Sequence, residues 1–179
     1  MYLADYHTHS RVSPDANTSM ADMAEAAIKA GLDELCFTDH VEPIVWGSTK
    51  LRGPYDWTLL TRDFRAAQAA VGDQIQLRLG MELGDAEWGP EHVAELLADA
   101  PEFDFIIGSI HRLSRRYGSQ DLYVFAPKDE SEAQEALGDY LEEALALAKQ
   151  GGFTVMGHLT LPLRYFNEMR GFHTSFDPY

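Results

Sequence analysis

Leu3-Ala4-Asp5-Tyr6-His7-Thr8-His9 reads as a short apolar strand that runs directly into two histidines. Leu35-Cys36-Phe37-Thr38-Asp39-His40 repeats the arrangement, a strand that ends in an acid and a histidine. Between them Ser19 and Asp22 stand three apart, as in a helix N-terminal capping box. Met23, Ala26, Ala27 and Ala30 then follow helical spacing, and Gly31 is a natural stop. Strand, helix and second strand make one β-α-β unit.

The pattern continues beyond an irregular segment from Val41 to Asp56, which Pro43, Gly47, Gly53 and Pro54 interrupt. A helix is predicted from Trp57 to Val71. Ile75 to Leu83 alternates, with Ile75, Leu77, Leu79, Met81 and Leu83 on one face and Gln76, Arg78, Gly80 and Glu82 on the other. Pro90 opens a helix running towards Asp99, and Phe103 to Ser109 is a strand ending near His111. An irregular insertion follows. Glu130 to Gln150 is the longest helical run, and Phe153 to Gly157 is a strand ending at His158. Roughly five β-α units of this kind imply an α/β fold with a parallel sheet, either open or closed into a barrel. A closed barrel needs more units than these. No linker marks a second domain.

Composition narrows the function. The formal charge is −15, from 29 acidic and 14 basic residues, so the surface repels nucleic-acid phosphates. An anionic substrate would need local positive charge, for which bound cations are one source. No apolar run approaches the roughly 20 residues that span a bilayer. The N-terminus lacks the basic and then apolar order of a signal peptide, and cleavage there would remove His7 and His9. The single cysteine, Cys36, has no internal disulfide partner, which suits a reducing cytoplasm; it lies in an apolar strand and is read as a core residue.

The histidines carry the chemistry. Of seven, five lie at the carboxyl ends of predicted strands: His7, His9, His40, His111 and His158. Glu82 closes another strand in the same sense. In parallel α/β folds that rim is where ligands bind. His7 and His9, two apart on an extended chain, point to the same side. Such convergence suits zinc, manganese or iron. A carboxylate has two oxygens, which makes Glu82 the natural centre of a multinuclear site, although Arg78 on the same strand face could pair with it instead. His92, inside a helix, and His173, in the tail, read as surface residues.

These residues resemble the PHP (polymerase and histidinol phosphatase) superfamily. His7-Thr8-His9, Phe37-Thr38-Asp39-His40, Gly80-Met81-Glu82, Gly108-Ser109-Ile110-His111 and Gly157-His158 match its motifs in order, over nearly the whole chain. Ser13-Pro14-Asp15-Ala16 and the run from Gly157 to Tyr165 are similar to the histidinol-phosphatase branch, which converts L-histidinol phosphate to L-histidinol and phosphate in histidine biosynthesis. The resemblance implies a distorted (β/α)7 barrel, TIM-barrel-like, that holds two to three divalent metals. It implies His7, His9 and Glu82 on a first metal; Glu82, His111 and His158 on a second; and Asp15 and His40 on part of a third. Asp39 would orient a ligand without binding metal. Glu82 and His111 would act in catalysis together with Arg164, the first choice for a phosphate clamp, with Arg112 a second choice for substrate binding.

The family closes its site with a late Asp-x-His motif, and no such motif follows His158. The expectation is therefore a single PHP domain over residues 1–179 that lacks the last strands, an incomplete barrel whose exposed edge favours self-association. The expected substrate is a small phosphate ester, with neither nucleic acid nor membrane as partner. Two other readings stand beside histidinol phosphatase: hydrolysis of another small phosphate ester or nucleotide, and metal binding without catalysis.

Overall fold

The computed structural model describes residues 1–179. Six strands, β1 (Ala4–Thr8), β2 (Glu34–Phe37), β3 (His40–Val41), β4 (Gln76–Gly84), β5 (Phe105–Ser109) and β6 (Val155–Met156), alternate with helices α1 (Met20–Ala30), α2 (Thr58–Val71), α3 (Pro90–Leu96) and α4 (Glu130–Gln150). All pairings are parallel, and the sheet runs β1-β2-β4-β5-β6 with β3 on β4. Strand order therefore follows chain order with no reversal. A doubly wound sheet reverses and places helices on both faces. Here the strands are added in one direction and the sheet curls into a half-barrel surrounded by helices. The curl is visible in side-chain contacts. Three interstrand spacings separate β1 from β5, about 14 Å if the sheet were flat, yet the rings of Tyr6 and Phe105 meet edge-on at 4.8 Å.

The local signals act as read. Ser19 caps α1 by accepting from the Asp22 N–H (3.1 Å), and Gly31 closes it in the left-handed region at φ 81°. Asp129 caps α4 through the Glu132 N–H (2.9 Å). The core lies between sheet and helices, with Phe37, Met81, Leu137, Tyr140 and Leu147 essentially inaccessible.

Three features differ from expectation. His40, expected at the end of the second strand, and Val41, the first residue of the segment expected to be irregular, form a separate short strand β3, because His40 pairs in register with Glu82 of β4. The polar face expected along β4 persists only at its start; from Leu79 onward both faces are buried, since one meets helices and the other the barrel interior. The tail is also structured. Pro162 sits in the first turn of α5 (Leu161–Leu163), where its missing N–H costs nothing, and a turn of π-helix over Arg164–Glu168 follows. Phe166 is then buried in the core, and Ser175 exchanges hydrogen bonds with Gln134 of α4.

At the N-terminal end of the sheet, Glu34 ties three chain segments together. Its Oε1 accepts from Arg78 Nε (2.6 Å) and Tyr6 Oη (2.7 Å), and its Oε2 from Tyr2 Oη (2.5 Å). Arg78 thus belongs to Glu34, not to Glu82. The Arg78 guanidinium, then the two tyrosine hydroxyls, hold the Glu34 carboxyl down at about 2. A depressed folded-state pKa contributes stability that is present above the unfolded value near 4.3 and lost as pH falls through 2. Glu34→Gln should accordingly cost about 1–2 kcal/mol near neutral pH, and the gap in melting temperature from the parent should narrow between pH 5 and pH 2. A gap constant with pH would contradict this. No helix is long and apolar enough to cross a membrane.

Candidate metal centre

The half-barrel brings every strand-end histidine to one carboxylate. Glu82 lies near the end of β4 with its side chain wholly buried. Its Oε2 lies 3.3 Å from His7 Nε2, 3.0 Å from His9 Nε2 and 3.3 Å from His40 Nδ1. Its Oε1 lies 3.2 Å from His111 Nε2 and 2.8 Å from His158 Nε2, and accepts from Ser109 Oγ (2.6 Å). The imidazoles form a continuous wall: His9 packs edge-on to His40 at 4.3 Å, His40 to His111 at 5.0 Å, and His7 stacks on His158 at 5.6 Å. That last contact joins the two ends of the open sheet at the mouth of the site.

Asp15, from the loop after β1, extends the cluster, with Oδ2 at 3.1 Å from His9 Nδ1 and 3.6 Å from His40 Nε2. Three sets have donor atoms close enough together for one ion each: His7, Glu82 and His158; His9, Asp15 and His40; and His40, Glu82 and His111. They divide the ligands differently from the partition that the resemblance implies, because His40 reaches Glu82 as well as Asp15.

The donors fit divalent metal. Glu82 Oε2, His9 Nε2, His40 Nδ1 and His158 Nδ1 are buried without a hydrogen-bond partner. Buried polar atoms are seldom left so, and neutral imidazole nitrogens with carboxylate oxygens are the donor set of zinc-type ions. Electrostatics agree. Burial would raise the Glu82 carboxyl, but the imidazoles of His111, His158, His7 and His9 around it outweigh this and hold the group well below the usual range. Burial would lower His111, yet the Glu42 and Glu82 carboxylates raise it well above the ordinary histidine value. The centre gathers carboxylates beside imidazole nitrogens, a donor set that suits cations.

Four supporting residues escape the sequence reading. Glu42, almost inaccessible, places Oε1 at 2.8 Å from His111 Nδ1 and 3.1 Å from His40 Nδ1. It lies two residues after His40, just past β3, and this spacing on an extended stretch is the signal that could have found it. The space it occupies exists only because residue 84 is glycine: a Cβ there would collide with both Glu42 carboxylate oxygens. Asp85, also buried, accepts from the backbone N–H of His111 (2.8 Å) and Arg112 (3.1 Å), which fixes the end of β5. Ser109 aligns Glu82, and the Tyr140 hydroxyl donates to the His158 carbonyl (3.1 Å).

Asp39 stays outside the ligand cluster. Its carboxylate accepts from Ser10 N (2.6 Å) and Ser10 Oγ (2.8 Å), which anchors the turn after His9. Arg164 is exposed and makes no ion pair. Arg112 departs from its expected substrate-binding role. It is buried, and its guanidinium donates to the carbonyls of Ser48 (2.9 Å), Ser119 (3.2 Å) and Val45 (3.2 Å), with Nε facing Asp85 at 3.5 Å. Three of its N–H donors go to backbone carbonyls and the side chain is 3% exposed, so the guanidinium is turned into the fold and away from a phosphate in solvent. His92 is half-buried beside Glu95 (3.7 Å) and His173 is exposed, both away from the cluster.

Residues 5–179 match the PHP domain. The chain belongs to the PHP domain family. Among curated members, it is 29% identical over 164 residues to a probable histidinol-phosphatase of Deinococcus radiodurans and 28% identical over 165 residues to the histidinol-phosphatase of Lactococcus lactis. These alignments cover 91% and 90% of this chain but 62% and 58% of those proteins, so this PHP chain spans about three-fifths of their length. The crystal structure of histidinol phosphate phosphatase from Lactococcus lactis, complexed with zinc, L-histidinol and phosphate, superposes with a TM-score of 0.69 at 26% identity, over 90% of this chain and 59% of that one. A putative histidinol phosphatase of Listeria monocytogenes shares the fold, with a TM-score of 0.62 at 16% identity over 94% of this chain and 71% of that one. The incomplete PHP barrel expected from the sequence is the fold observed.

Proposed function

We propose that this centre hydrolyses a phosphate monoester and that the substrate is L-histidinol phosphate, released as L-histidinol and phosphate. One observation carries the reading: five imidazoles converge on a single buried carboxylate whose free oxygen and neighbouring nitrogens lack partners. Its support among relatives is the Lactococcus lactis enzyme solved with zinc, L-histidinol and phosphate.

His7, His9, Asp15, His40, Glu82, His111 and His158 would hold about two to three divalent ions, zinc, manganese or iron. When bound, such ions supply Lewis-acid charge against the phosphate oxygens and lower the pKa of water. The chain's own groups do the rest. Glu82 offers one oxygen to His7, His9 and His40 and the other to His111 and His158, and so sets the separation between ligand groups. Glu42, at His111 Nδ1, and Asp85, at the His111 backbone N–H, hold His111 in orientation. The negative charge gathered here, on a chain of net charge −15, suits cations first and an anionic ester only after them.

Arg164 follows His158 on the π-helical turn, and its exposed guanidinium is the group assigned to the phosphate. Arg164→Ala should raise KM for the ester by roughly ten- to a hundredfold, with lysine restoring only part of the loss. An unchanged KM would remove it from the site.

The deciding experiment is metal content per chain by elemental analysis, followed by phosphate release from L-histidinol phosphate with and without chelator. About two or more ions per chain and chelator-sensitive release support the reading. Metal binding without turnover favours a second one, a metal-binding PHP domain without catalysis. Turnover of other small esters in preference to L-histidinol phosphate would displace the substrate alone.

A further inference from the structure

Trp46 lies on the segment between β3 and α2, and its indole packs edge-on against the imidazole of His40, with centroids 5.4 Å apart and planes at 62°. It nevertheless remains 39% exposed. The other two tryptophans are used by the fold: Trp57 is in the core, and Trp88 donates Nε1–H to Glu143 (3.0 Å). Trp46 is therefore an uncovered aromatic face that touches the metal cluster.

Its backbone is held as tightly as its side chain is open. Arg112 donates to the carbonyl of Val45 (3.2 Å) on one side of it and of Ser48 (2.9 Å) on the other. The same guanidinium faces Asp85, which binds the backbone N–H of His111. A buried arginine thus links the Trp46 turn to the end of β5, which carries a ligand. A turn fixed in this way, bearing a large side chain that the fold leaves uncovered, has its ordering cost met before any ligand arrives. What such a face accepts follows from its quadrupole: a flat ring or a cation.

We infer that Trp46 is a specificity-determining residue, the wall that receives the organic part of the phosphate ester and selects a flat or cationic group there. This rests on the phosphatase reading above. It adds the chemistry by which the alcohol portion is recognised, separately from its phosphate.

The test is steady-state kinetics of the metal-loaded chain on L-histidinol phosphate and on ethyl phosphate, which lacks the flat and cationic groups. Trp46→Ala should lower the ratio of the two kcat/KM values by roughly three- to thirtyfold, chiefly through KM of the first ester. Trp46→Phe should restore most of the ratio and Trp46→Leu should not. A ratio that Trp46→Ala leaves unchanged, including an equal fall for both esters, overturns the inference. Titration with L-histidinol supplies a readout independent of turnover. It should quench tryptophan emission in the parent and not in Trp46→Phe; no quenching in the parent, or quenching that survives in the variant, also overturns it. If the parent hydrolyses neither ester, the phosphatase reading fails while this titration still decides the role of Trp46.

Discussion

Replacing Glu82 with glutamine is expected to strip the centre of most of its metal and to reduce phosphate release by roughly three orders of magnitude. The substitution keeps the shape and removes the charge. In the parent, one carboxylate faces five imidazoles, three on Oε2 and two on Oε1. An amide offers a single oxygen, and its NH2 group would face two of those imidazoles without the ability to bind a cation. Burial magnifies the effect, because no solvent reaches the position to replace the lost charge. Elemental analysis and phosphate release on the same preparation check the result, with circular dichroism to establish that the variant is folded. Full metal content in folded Glu82→Gln would refute the central role assigned to this residue.

The second large effect is expected from Glu42, which binds no substrate in the proposed mechanism. Its carboxylate is hydrogen-bonded to His111 Nδ1 and lies beside His40, and Gly84 leaves the space in which it lies. A partner of this kind fixes the orientation of a ligating imidazole and raises its basicity, and losing it typically costs ten- to a hundredfold in metal affinity or activity. Glu42→Gln should fall in that range, seen as a shift in a competition titration against a chelator. Gly84→Ala should reproduce part of the same loss, because its methyl group displaces the Glu42 carboxylate and leaves its charge in place. Unaltered metal affinity in Glu42→Gln would mean that His40 and His111 are held by packing alone.

The sequence already contained the β-α alternation, the caps at Ser19 and Gly31, and the rim of His7, His9, His40, Glu82, His111 and His158. These features are local: a strand, its end and the helix after it are neighbours along the chain, so periodicity and capping chemistry reveal them without knowledge of packing. Asp15 was legible through the motif that contains it.

The tertiary fold settled what depends on residues far apart in the chain. Alternation leaves a parallel sheet open or curled, and the curl follows from strands added in chain order until Tyr6 meets Phe105. Arg112 is a plausible anion ligand in the sequence, but the carbonyls that consume its donors come from Val45, Ser48 and Ser119, segments that meet only when folded. Glu42 and Asp85 look like ordinary acids, and their burial against His111 arises from β3 and β5 flanking β4. Residue identity along the chain determines which groups can bind metal. Which carboxylates are buried beside them, and which arginine is buried and which exposed, depends on long-range packing, because desolvation and hydrogen-bond geometry are properties of the assembled structure.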